Sequence, residues 1–87
     1  MKPKPVFVDP VHRFSLDRDE ETGRTFVSIP VRNAMIEYSE WYEVDAETFE
    51  RFLADPTRAH DLVARAKRRE VDHLLLFQPG RDRGVPD

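Results

Sequence analysis

Ile36-Glu37-Tyr38-Ser39-Glu40-Trp41-Tyr42-Glu43-Val44-Asp45-Ala46-Glu47-Thr48-Phe49-Glu50-Arg51-Phe52 sets five aromatic and six acidic side chains in seventeen positions, and its periodicity changes partway. From Ala34 to Val44 the even positions carry Ala34, Ile36, Tyr38, Glu40, Tyr42 and Val44; the odd ones carry Met35, Glu37, Ser39, Trp41 and Glu43. Successive side chains of a strand point to opposite faces, so this segment reads as a strand with its more apolar even set toward a core. Trp41 then points the other way, among carboxylates. From Asp45 the spacing turns helical. Asp45 suits an N-cap, its carboxylate accepting from free first-turn amides, and Glu47 lies near the positive end of the helix dipole. Ala46, Phe49, Phe52 and Leu53 fall on one stripe of that helix.

Upstream, two shorter segments alternate. His12, Phe14 and Leu16 share one side of the first; Val27, Ile29 and Val31 share one face of the second, Thr25 to Val31. Between them Arg18-Asp19-Glu20-Glu21-Thr22-Gly23 is polar and ends in a glycine able to supply positive φ, which predicts a hairpin. Pro30 cannot donate to a ladder and marks an edge position or a strand end. Residues 1–10 carry three prolines and are expected as an extended N-terminal arm, with Val6-Phe7-Val8 as its anchor on the body.

Downstream, Asp55-Pro56 opens a second helix, with aspartate as cap and proline where no amide is needed. Ala59, Leu62, Val63 and Ala66 form its inner face, and Asp61 and Arg65 are spaced to pair outside. Val71 to Phe77 fits either a continuation of that helix or a buried strand ending at Pro79-Gly80, and the strand is preferred. Residues 79–87 are polar and expected to form a flexible C-terminal tail. The expected fold is therefore α+β: a small antiparallel sheet in the order β-β-β-α-α-β with two helices packed on one face, in a single globular domain over residues 11–78.

Composition narrows function mainly by exclusion. At 87 residues there is room for one modest core. No apolar run approaches the roughly 20 residues that cross a bilayer, and Met1-Lys2-Pro3-Lys4-Pro5 lacks the apolar centre of a secretory signal. The absence of cysteine removes disulfide and thiolate chemistry and suits a cytoplasmic location. His12, His60 and His73 share no ligand spacing, so no metal is expected and all three read as surface or edge histidines. Ser15, Ser28 and Ser39 lie within strands rather than on a strained turn, and three glycines are too few for a phosphate-cradling loop. No enzyme and no cofactor is expected.

Charge is segregated along the chain. Seven acids stand against one base from Glu37 to Asp55, and five bases against Asp61 from Arg58 to Arg69. Such an arrangement either steers a charged partner or simply solvates two faces. Tyrosine and tryptophan dominate interface hot spots because they bury much area with few rotors to freeze. The expected function is accordingly a non-enzymatic protein-binding module that inhibits or occludes a basic partner protein, of the immunity-protein, antitoxin or phage-inhibitor type. Its contact residues are Glu37, Tyr38, Glu40, Trp41, Glu43 and Glu47, and the same face could serve a homodimer. The alternative is a nucleic-acid adaptor using Arg65, Lys67, Arg68 and Arg69, although bases near a helix C-terminus also complement its dipole and no aromatics interleave them.

Overall fold

The computed structural model describes residues 1–87. Five strands, β1 (Lys4–Asp9), β2 (Phe14–Arg18), β3 (Thr25–Arg32), β4 (Glu37–Val44) and β5 (Val85–Pro86), form one antiparallel sheet in the order β1-β2-β3-β4, with β5 paired to β3 beyond the end of β2. Helices α1 (Ala46–Ala54) and α2 (His60–Lys67) follow β4 and pack on one face of the sheet. The class is α+β, as the alternation and helical stripes predict.

The hairpin between β2 and β3 closes through Gly23, whose φ of +75° is the left-handed conformation glycine tolerates. Asp19 holds that turn by accepting from the Thr22 amide at 2.9 Å and its hydroxyl at 2.6 Å. The turn into β4 is tighter: Asn33 Oδ1 accepts from the amides of Met35 at 2.8 Å and Ile36 at 2.9 Å. β4 consequently starts at Glu37 rather than Ala34, and Ile36, expected in the core, is 58% exposed.

The even face of β4 does turn inward. Tyr42 is fully buried with Leu16, Val27, Ile29 and Val31 from the neighbouring strands and Phe49, Phe52, Val63 and Ala66 from the helices. Asp45 caps α1 by accepting from the Thr48 amide at 2.8 Å, which places Phe49 over the sheet one turn later. Asp55 caps a short 3₁₀ turn, Pro56–Ala59, that leads into α2. Arg65, spaced to pair with Asp61, lies instead 3.8 Å from Glu70.

Three segments depart from expectation. The first ten residues do not stand off as an arm: β1 pairs with β2, slipping register between Pro5 and Phe7, and Phe7 packs beside Phe14 on the core side. Residues 71–77 are neither strand nor helix extension. Helix α2 stops because Arg69 adopts φ +60°, and the paired bonds Arg69 N to Ala66 O and Glu70 N to Arg65 O close its last turn. The chain then makes a 3₁₀ turn at Asp72–Leu74 and touches the sheet through one bridge, Tyr42 to Leu75.

The C-terminal residues pack back on the sheet rather than trailing away as a tail. Residues 82–87 are bound along their length: Asn33 Nδ2 donates to Asp82 O, Tyr38 Oη accepts from Gly84 N, Arg69 donates to Gly84 O and Arg13 donates to Asp87. Gly84 passes so near β3 that a Cβ there would lie 2.7 Å from the Arg32 carbonyl carbon, so only glycine fits.

Candidate docking groove

β4 is the outer strand on its side of the sheet, and the chain returning from α2 runs beside it without completing a ladder. Trp41 O accepts from Leu76 N at 2.9 Å, which shows that odd residues of β4 direct their backbone groups away from β3. Ser39 and Glu37 come next on the same edge, and their outward backbone groups meet no backbone partner. Between this edge and residues 77–83 lies an open groove of about 520 Å³. Ile36, Trp41 and Phe77 give it apolar walls; Phe77 is 56% exposed and meets Trp41 edge-on at 6.2 Å between ring centroids. Met35, almost fully exposed, stands in the turn that leads into β4.

Trp41 lies on the face away from the helices, as its odd position requires, and is half-buried. Its indole Nε1 donates to Asp17 Oδ2 at 2.8 Å, while Asp17 Oδ1 accepts from Ser15 Oγ at 2.6 Å and Ser15 Oγ lies 2.5 Å from Ser28 Oγ. Cross-strand register explains the cluster, since Ser15, Ser28 and Trp41 stand opposite one another across β2, β3 and β4. The buried carboxylate thus fixes the indole and leaves one flank of the ring toward Phe77.

The other expected contact residues fare differently. Glu40 is not on a surface rim: only 7% exposed, it accepts from Arg83 Nε at 2.7 Å, Arg83 Nη2 at 3.0 Å and Tyr42 Oη at 2.9 Å. Its even position sends it inward, where burial of a carboxylate is tolerable only with such partners. Tyr38, also inward and half-buried, spends its hydroxyl on Gly84 N at 2.7 Å. Glu37, Glu43 and Glu47 remain outside, but each is paired with an arginine of this chain: Arg32 and Arg13, Arg24, and Arg51. The Arg24 guanidinium holds the Glu43 carboxyl below its usual range. Glu47 sits on α1, apart from the groove.

The basic set is likewise engaged. Arg65 and Arg68 both reach Glu70, Lys67 Nζ donates to His12 O at 3.1 Å, and Arg69 donates to Gly84 O at 3.0 Å. The acid–base segregation along the sequence therefore folds into local pairs rather than two free poles. Phe77 and Ile36 are the groove residues that sequence reasoning did not single out. Alternation and apolar run assign both to buried strands, and only their exposure in the fold marks them.

Arg83 closes one side of the groove by spanning Glu40 and Asp72, the latter through Nη1 at 2.7 Å and Nη2 at 2.9 Å. The Arg83 bonds hold the Asp72 carboxyl below the ordinary aspartate value of 3.8, and the same bonds push the guanidinium further up. Because Asp72 titrates lower folded than unfolded, its contribution is fully present above the unfolded value and drains as pH falls through the folded one. Melting temperature should thus decline on acidification below about pH 4. Asp72→Asn should lower it at neutral pH and flatten that acid slope; an unchanged slope would show that Asp72 is not part of the acid response.

No helix is long and apolar enough to cross a membrane. Comparison with protein-family models, curated proteins and solved structures finds no match.

Proposed function

We propose that this chain is a small, non-enzymatic protein-binding module that takes an extended stretch of a partner polypeptide along the free edge of β4 and occludes it. The observation that carries this reading is the coincidence of unpaired backbone at Glu37 and Ser39 with the exposed Ile36 and Phe77 and the half-buried Trp41 around one groove. An open strand edge supplies main-chain hydrogen bonds to an added strand, and adjacent apolar pockets select its side chains. The partner that fits brings alternating apolar residues on an extended segment. A strongly basic surface fits less well, since Glu37 and Glu43 already hold arginines and Glu40 is interior. Glu40 is not free for acid–base work in the groove: both its oxygens are consumed by Arg83 and Tyr42. A cysteine-free chain is also suited to the reducing cytoplasm, where we place it.

Selection of short peptides from a displayed random library, followed by titration on the fluorescence of the single tryptophan, tests the proposal. Enriched peptides should alternate apolar and polar residues. Phe77→Ala, at an exposed position, should leave folding intact and weaken them by about 2 kcal/mol, roughly 30-fold. Glu37→Gln should change affinity little, and affinity should vary only weakly with salt. Peptides indifferent to both Phe77→Ala and Ile36→Ala would remove the groove as the binding site, and self-association through the same edge would make a second copy its occupant.

A further inference from the structure

His12 and His60, forty-eight positions apart, are brought together with Asp9 where the β1–β2 turn meets the start of α2. Their imidazole centroids are 4.2 Å apart with the planes inclined at 33°. Asp9 Oδ1 accepts from the amides of Val11 and His12, both at 2.9 Å, so backbone donors fix the carboxylate before any ligand arrives. Oδ2 is left 3.0 Å from His12 Nδ1. One donor atom from each of the three side chains lies within 4.8 Å of the others.

We propose that Asp9, His12 and His60 constitute a site for a divalent transition metal of the zinc class. Tetrahedral zinc with bonds of about 2.0–2.1 Å to nitrogen and oxygen wants its donor atoms roughly 3.3 Å apart. The Asp9–His12 pair is already near that separation, and His60 needs only a side-chain rotation toward them. Two imidazoles and one carboxylate favour zinc, nickel or copper over magnesium or calcium, which prefer all-oxygen sets. Phe14 presents its ring edge-to-face to His60 at 5.8 Å, restricting that imidazole on one side. A hollow of about 190 Å³ lined by both histidines, Val63, Ala64 and Lys67 leaves room for a fourth ligand such as water. Lys67 is the opposing charge: its ammonium is held on the His12 carbonyl at 3.1 Å and repels a cation. Chelation would tie the β1–β2 turn to α2, and so bind the edge strand to the helical layer.

The histidine spacing shows nothing of this, because the ligands approach through tertiary structure rather than along one element. The site is separate from the β4 groove and does not depend on it. The test is titration of the tag-free protein with zinc chloride, read by calorimetry, by melting temperature and by the histidine ring resonances. One equivalent should bind saturably, raise the melting temperature and be removed by EDTA. The rings of His12 and His60 should shift while that of His73 does not. His12→Ala or His60→Ala should abolish binding, and His73→Ala should leave it unchanged. Asp9→Asn, which retains an oxygen for the two amides, should weaken it, and Lys67→Gln should tighten it. Absence of saturation below millimolar zinc, or binding that survives both histidine substitutions, would overturn the proposal. The ring resonances of the unsubstituted protein decide the matter even where a variant folds poorly.

Discussion

Replacing Arg83 with alanine should lower stability by about 3–5 kcal/mol, because it strands the Glu40 carboxylate inside the protein without its countercharge. Arg83 is 11% exposed and Glu40 7%, so the pair is largely withdrawn from water. Asp72 loses the same guanidinium, and the Tyr42 hydroxyl is left as the side-chain donor to Glu40. For a chain of 87 residues, total stability is on the order of 4–13 kcal/mol, so this substitution takes a large share of it. The melting temperature should fall by at least 10 °C or so. The pair itself is a different matter from its rupture. Bringing two charges out of water costs much of what their attraction returns, so Glu40→Leu combined with Arg83→Met should be far milder than Arg83→Ala alone. Thermal or urea unfolding of the three variants measures this directly. Equal losses for the single and double substitutions would mean that the ion pair holds the 82–87 segment in place chiefly through packing, and that the stranded charge matters little.

The contrast between Arg83 and the core shows what a local pattern can and cannot reveal. Val27, Ile29, Val31 and Tyr42 were legible because alternation is a property of the strand itself. Facing was legible too, which is why Trp41 is found on the side away from the helices. Alternation does not say whether an inward polar residue has a partner. Glu40 therefore read as a rim charge, its arginine lying forty-three residues later in a segment that resembles a solvated tail. Gly84 completes that long-range arrangement by letting the chain approach Arg32, and nothing near it in sequence marks the need. The end of α2 was hidden for another reason. A left-handed residue after a helix is usually glycine, whereas here Arg69 takes that conformation, anchored on Gly84 O. With no visible stop, Val71 to Phe77 suited two structures and adopted neither. The groove inherits this: Phe77, the last residue of that segment, begins its outer wall, and Ile36 sits in the Asn33 turn before β4, so alternation points to Trp41 but not to the two apolar residues beside it.

Phe49→Ala should cost about 3–5 kcal/mol, comparable to the loss of Arg83 but by a wholly different route. Phe49 has no exposed surface and sits on α1 against β2 and β3, where its ring fills the space between helix and sheet. Truncation removes the transfer free energy of the ring and leaves a cavity that a sheet held by cross-strand pairing cannot collapse around. Two other contributions can be separated from this one. Alanine is the better helix former by roughly 0.5 kcal/mol, which opposes the loss, so the measured cost understates the packing. The Arg18 guanidinium lies 5.1 Å from the ring centroid, but Arg18 is partly exposed, and Arg18→Gln should cost no more than about 1 kcal/mol. Phe52, one turn on and at the margin of burial with 9% exposure, gives the internal comparison. Its truncation leaves a site open to water on one side and should cost less than that of Phe49. If chemical denaturation gave Phe52→Ala the larger loss, the centre of the contact between α1 and the sheet would lie a turn further along the helix than the buried position of Phe49 requires.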